Sequence, residues 1–168
     1  KPGQDLFDVT SNVLNGMKQV LTKDCPDVVL VHGDTTTTMA AAMAAFYLKI
    51  PVGHVEAGLR TYNLKSPYPE EFNRQLTTRI AQLHFAPTQN ARQNLLNEQI
   101  DDRQIYVTGN TVIDALLLIV EKARLTNFPD VTLESMPFLQ RKESHISRII
   151  LVTGHRRENF GQGFEEIC

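Results

Sequence analysis

The sequence predicts an α/β protein built on an open parallel sheet, and three observations carry that reading. Short apolar runs of strand length alternate with stretches of helical period along the whole chain. The stretches between successive runs are long enough for crossover helices and too long for tight hairpins, which implies parallel neighbours. The first two runs end in glycine, histidine and a carboxylate, the polar turn expected where a parallel sheet meets its ligand crevice.

The elements follow in order. Residues 5–21 carry Leu6, Val9, Val13, Leu14, Met17, Val20 and Leu21 at three- and four-residue steps and read as an amphipathic helix, ended by Pro26. Residues 28–32 read as a buried strand and Gly33 as the turn after it. Asp34 or a following threonine then caps an alanine-rich helix over 39–48. A strand is predicted over 50–55 and a loop with Pro67 and Pro69 over 61–69. The helix predicted over 70–81 has two acids in its first turn. Residues 83–86 read as a strand, 89–98 as a helix, 105–107 as a strand ending at Gly109, and 112–124 as an apolar-striped helix. The polar stretch 126–147 reads as a surface connection, 149–152 as a last strand, and 153–163 as a loop before the first turn of a helix. The chain starts at Lys1 on a polar lead-in and stops one turn into that helix, so it is expected to be an internal fragment of a longer protein.

Composition narrows the function classes. A formal charge of −2 gives no electrostatic case for nucleic acid or an anionic membrane. The apolar runs fall short of a bilayer span, and the opening residues lack a signal-peptide pattern. Cys25 and Cys168 could form a lone bridge, but they read more readily as reduced thiols of a cytosolic protein. The five histidines show no HxxxH or HxH spacing, so no metal site is expected.

Four segments carry candidate chemistry. In 28–34 (VVLVHGD), Asp34 suits a helix N-cap equally with a group meeting a phosphate or sugar hydroxyl at a helix start. In 51–60 (PVGHVEAGLR), Glu56 stands at a strand end with Arg60 nearby; a structural ion pair and a catalytic base both stay open. In 66–74 (SPYPEEFNR), a rigid loop before a capped helix is one reading; the other is that two prolines hold Glu70 in one place, as an active-site acid requires. In 153–163 (TGHRRENFGQG), glycine amides with Arg156 and Arg157 can wrap phosphate, and His155 is placed to carry a proton. The P-loop lysine and the GxGxxG fingerprint are absent, against an ordinary nucleoside-triphosphate or dinucleotide site.

VLVHGDTTTT, PVGHVEAGLRT, SPYPEEFNR, TGNTVIDAL and LVTGHRRENFGQGFEEI, in this order, resemble the non-hydrolysing UDP-N-acetylglucosamine 2-epimerases of bacteria over essentially the whole chain. The resemblance implies a GT-B fold, two Rossmann-like domains facing each other across a cleft. Residues 1–109 would be most of the N-terminal domain without its first strand, and 110–168 the opening of the C-terminal domain. It implies a cytoplasmic homodimer that interconverts UDP-N-acetylglucosamine and UDP-N-acetylmannosamine with no metal or nicotinamide cofactor, a product that commonly feeds surface polysaccharides.

By the same resemblance the catalytic groups fall on Asp34, Glu56, Glu70 and His155, with His32, Arg60 and Arg156 among the substrate-binding residues. Some members bind a second UDP-N-acetylglucosamine as activator, and there Glu70 and Arg156 match contact positions. The rival readings are a GT-B glycosyltransferase, a hydrolysing 2-epimerase that releases UDP and free sugar, and a non-catalytic piece able to bind or dimerise. The 168 residues alone are expected to be inactive or nearly so.

Overall fold

A computed structural model describes residues 3–125 of the chain. The chain divides into two compact units, Lys1–Asp114 and Ala115–Cys168. The first holds the sheet. The described part of the second is the continuation of one helix. The strand expected over 149–152 and the loop over 153–163 lie outside the described residues.

The first helix, α1 (Leu6–Asp24), begins at a reciprocal cap. Asp5 accepts from the Asp8 amide while Asp8 accepts from the Asp5 amide, so two otherwise orphaned donors are satisfied. It ends at Cys25 in left-handed conformation, one residue before Pro26. Strand β1 (Val29–His32) follows, then helix α2 (Thr36–Tyr47). This second helix starts three residues earlier than its apolar run suggests because Thr35 caps it, accepting from the Thr38 amide at 3.2 Å. Strand β2 (Val52–Val55) is shorter than the apolar run that announces it, since the Ile50 amide still closes the end of α2 on the Ala45 carbonyl.

After a long loop come α3 (Glu70–Ile80), β3 (Leu83–Ala86), α4 (Gln89–Asn97) and β4 (Ile105–Val107). A short 3-10 turn over Asp102–Gln104, capped by Asp101, precedes β4 and had no periodic signal. Helix α5 (Thr111–Leu125) closes the described chain.

The four strands are all parallel in the order β1-β2-β3-β4. Register puts Val31, His54, His84 and Ile105 in one row on one face. That face carries the core. Val31 and Val52 pack with Leu21 of α1 and Ala42, Ala44 and Ala45 of α2. Ala86 and Ile105 pack with Ala91 and Leu95 of α4. Alanine lets α2 lie close to the strands, and each fully buried leucine such as Leu95 contributes about 2–3 kcal/mol by leaving water. The opposite face is apolar yet open: Leu30 is 61% and Tyr106 47% exposed.

Gly58 fixes the seat of α4. Its φ is +87°, and a Cβ there would lie 2.2 Å from the Ala91 carbonyl oxygen, so a side chain at this position collides with the helix backbone. Among the described residues no helix is long and apolar enough to cross a membrane.

Candidate functional site

The site grows from the ends of β1 and β2. Past His32 the chain turns at Gly33, whose φ of +74° favours glycine. Its amide donates to the Val55 carbonyl at 3.0 Å, which carries the parallel ladder one step beyond both strands. Asp34 and Glu56 therefore leave adjacent strands at nearly the same level. The Glu56 carboxylate leans over the turn: a Cβ on Gly33 would sit 3.6 Å from Glu56 Oε2. Glu56 itself has φ of +70°, a left-handed conformation that costs a residue with a side chain on the order of 1–3 kcal/mol.

Charges of both signs alternate here. His32 Nε2 lies 3.5 Å from Glu56 Oε2, and Arg74 Nη2 lies 3.6 Å from Asp34 Oδ2. The side chains of Asp34 and Glu56 keep 32% and 30% of their surface exposed, enough to meet a ligand. Asp34 does not cap α2, because Thr35 does; its carboxylate is left to face Arg74 and solvent. Glu56 does not pair with Arg60 either. The Arg60 side chain is 0% exposed, with Nε and Nη2 on Glu98, Nη2 also on Thr78 Oγ1, and Nη1 on the Leu59 carbonyl. Of the residues marked in the sequence, the structure thus brings His32, Asp34 and Glu56 together and sets Arg60 in the interior, tying the loop after β2 to α3 and α4.

Glu70 opens α3 directly after Pro69, half-buried, in a first turn whose amides favour negative charge. The same helix supplies residues that the sequence reading quoted without a role. Glu71 is fully buried and accepts from the amides of Thr61 and Tyr62 and from Gln75 Nε2. Burial works against its ionisation, but those hydrogen bonds and the nearby Arg74 outweigh it and hold the carboxyl below its ordinary range. Arg74 Nε lies 3.2 Å from Glu71 Oε2, close enough for an ion pair though not aligned as a hydrogen bond. Asn73 Nδ2 donates to the Asp34 carbonyl at 2.9 Å. A sequence signal existed: Glu71, Arg74, Thr77 and Thr78 recur at helical steps, and a polar stripe on a helix lying against a sheet must be buried with partners.

Beneath the turn lies His54, fully buried, with Nε2 at 2.8 Å from the Gly33 carbonyl. A carbonyl only accepts, so Nε2 carries the proton. Burial first, then the charges of Arg60, His32 and Arg74, lower its pKa to about 4 despite the Gly33 bond, so it is neutral at neutral pH. His84, its cross-strand neighbour, is lowered to about 4 by burial, by His54 and by Arg60. Among the described residues no group of three or more histidines, cysteines and acids is arranged to hold a metal. His155 and Arg156 lie outside the described residues.

Two carboxylates at adjacent strand ends, one beside an arginine and one beside a histidine, can accept and return protons on a ligand lying over the turn. The chain as a whole is similar to known proteins. The family model for UDP-N-acetylglucosamine 2-epimerase matches residues 1–168. The chain is 57% identical over 169 residues to the UDP-N-acetylglucosamine 2-epimerase of Salmonella typhimurium, covering 100% of this chain and 44% of that protein. A crystal structure of the Neisseria meningitidis UDP-GlcNAc 2-epimerase bound to UDP-GlcNAc superposes with a TM-score of 0.88 at 53% identity, over 99% of this chain and 44% of that one. The Methanocaldococcus jannaschii enzyme in complex with UDP-GlcNAc and UDP matches with a TM-score of 0.71 at 44% identity, over 74% and 34%. The chain thus spans less than half the length of these relatives. The expected α/β fold of GT-B type holds for the sheet described here. The chain belongs to the UDP-N-acetylglucosamine 2-epimerase family.

Proposed function

We propose that this chain contributes the sugar-facing carboxylates of an enzyme that interconverts UDP-N-acetylglucosamine and UDP-N-acetylmannosamine. The observation that carries the reading is the pairing of Asp34 and Glu56 at the ends of adjacent parallel strands, both partly exposed above one glycine turn. The reaction runs by elimination and re-addition. A carboxylate takes the proton from sugar C2 as the C1–oxygen bond to UDP breaks, giving UDP and a 2-acetamidoglucal. UDP then re-adds at C1 while a proton arrives at C2 from the opposite face.

The C2 hydrogen has no adjacent carbonyl to acidify it, so departure of UDP runs ahead and builds positive charge at C1. Carboxylates beside the ring stabilise that charge, as in glycoside cleavage. Inversion requires a proton acceptor and a donor on opposite faces, which is why two carboxylates are needed. In this reading Asp34 and Glu56 handle the protons, Glu70 assists as acid–base or ring-binding group, and His155 favours UDP departure beside the diphosphate. His32 and Arg156 bind substrate, and Arg60 acts through the frame that holds the loop after β2. Glu70 and Arg156 as contacts of an activating second UDP-N-acetylglucosamine form the weaker variant.

The proposal extends to the whole protein. Residues 1–109 belong to an N-terminal Rossmann-like domain and 110–168 to the start of a second; the enzyme is a cytoplasmic homodimer, uses no metal or nicotinamide, and serves polysaccharide biosynthesis. The 168 residues alone are expected to be inactive or nearly so.

Proton NMR of UDP-N-acetylglucosamine in deuterated water, with the polypeptide at the length of its relatives, tests the reading. Deuterium at C2 together with UDP-N-acetylmannosamine supports it. Release of UDP with free sugar moves the assignment to the hydrolysing class, and absence of exchange and product overturns it.

A further inference from the structure

The turn that carries Asp34 is held in an unusual way. Three consecutive carbonyls, those of His32, Gly33 and Asp34, each accept a hydrogen bond from a buried side chain. Thr38 Oγ1 donates to His32 at 2.6 Å, His54 Nε2 to Gly33 at 2.8 Å, and Asn73 Nδ2 to Asp34 at 2.9 Å. The donors come from α2, β2 and α3, and Thr38, His54 and Asn73 are 7%, 0% and 2% exposed. A turn between a strand and a helix ordinarily leaves such carbonyls to water. An imidazole and an amide buried under a sheet are costly unless their donors are used, so their presence calls for a reason beyond filling the core.

The Gly33 amide is fixed as well, on the Val55 carbonyl, one residue before Glu56. The backbone between the two carboxylates is therefore tied at four points, and the last tie couples the Asp34 turn to the strand end that presents Glu56.

We propose that Thr38, His54 and Asn73 are positioning residues that set the placement of the Asp34 and Glu56 carboxylates through the backbone of the 32–34 turn. This rests on the reading of Asp34 and Glu56 as the groups that exchange protons with substrate. None of the three positioning residues needs to touch substrate. Their loss lets the turn relax, and a displacement of about 1 Å at a reacting group lowers turnover by roughly a hundredfold. Because the substrate is held by other groups too, the loss falls on kcat rather than KM.

The test uses the polypeptide at the length of its relatives, assayed for conversion of UDP-N-acetylglucosamine and for deuterium entry at C2, with thermal unfolding as a check on folding. Thr38→Val, His54→Leu and Asn73→Leu are expected to lower kcat by about 10- to 100-fold with KM within about threefold. Thr38→Ser and His54→Gln keep a donor at nearly the same place, and both are expected to restore kcat to within about fivefold of the parent.

Parental kcat in folded Thr38→Val and His54→Leu, alongside inactive Asp34→Asn and Glu56→Gln, overturns the positioning role and leaves the site reading standing. So does an equal loss in Thr38→Val and Thr38→Ser, since a purely steric role does not discriminate the hydroxyl. Full turnover in Asp34→Asn and Glu56→Gln overturns the site reading itself, and the positioning role falls with it.

Discussion

Two arginines enter the interior, Arg60 from the loop after β2 and Arg74 from α3, and they end differently. Arg60 is closed on itself: every direction of its guanidinium meets Glu98, Thr78 or the Leu59 carbonyl, and its side chain has no exposed surface. Arg74 is open at one end. It touches buried Glu71 with Nε and reaches Asp34 with Nη2, and its side chain is 10% exposed. The first arginine joins the loop after β2 to α3 and α4; the second joins α3 to Asp34, a group proposed above to exchange protons. What separates frame from site is therefore not burial or charge but whether the last donor is already used.

The largest effect should come from breaking the closed arginine. Arg60→Met strands Glu98 and is expected to cost about 3–5 kcal/mol, read as a lower urea midpoint. A loss below about 1 kcal/mol would mean that this cluster is no more than a surface pair.

Next comes acidification, which probes the two buried histidines on which Arg60 acts. His54 and His84 are neutral in the folded protein, with pKa values near 4 against about 6.5 when unfolded. Above pH 6.5 neither state binds their protons and stability is full. As pH falls from 6.5 toward 4, only the unfolded chain takes up the protons, and stability drops by about 1.4 kcal/mol per pH unit for each histidine. Arg60 acts on both rings and Arg74 on His54 alone; Glu98 opposes the shift at His84. Urea unfolding at pH 7 and pH 5 measures the slope, and His84→Gln should flatten it. Glu71, whose carboxyl is held low, adds its own loss only below about pH 4.5.

Arg74→Met should cost less than the Arg60 change, about 2 kcal/mol, because Glu71 keeps its two backbone amides and Gln75. On the proposed reading of Asp34, the loss should show in turnover of the polypeptide at the length of its relatives, where Arg74→Lys retains charge without the planar fork. Equal turnover in parent and Arg74→Met would erase the contrast between the two arginines. The smallest effect belongs to a surface control. Arg92→Ala, which breaks the exposed pair with Asp102, should move stability by no more than about 0.5 kcal/mol.

Much of this was legible in the sequence. The strands predicted over 83–86 and 105–107 fold with those bounds, since short apolar runs bounded by polar turns leave little choice. His32, Asp34 and Glu56 were marked because they follow such runs, and the structure brings them together. What sequence did not give were partners. Glu56 with Arg60 looked plausible at four residues apart, but the left-handed turn at Glu56 sends its carboxylate toward His32, while Arg60 runs inward to a residue thirty-eight positions on. Glu71 was overshadowed by Glu70 because adjacent acids look alike until the helix is docked and one of them faces inward. His54 reads as one more strand residue until register shows which carbonyl it reaches.

The left-handed backbone at Glu56 has a further consequence for how this protein can be improved. Glycine adopts that conformation at little cost, so Glu56→Gly relieves strain while removing the carboxylate. On the proposed role of Glu56, a screen that rewards thermal tolerance alone would drift toward glycine here and select an inert protein. On that reading position 56 is a point where heat resistance and turnover pull in opposite directions, and only selection under both keeps the glutamate.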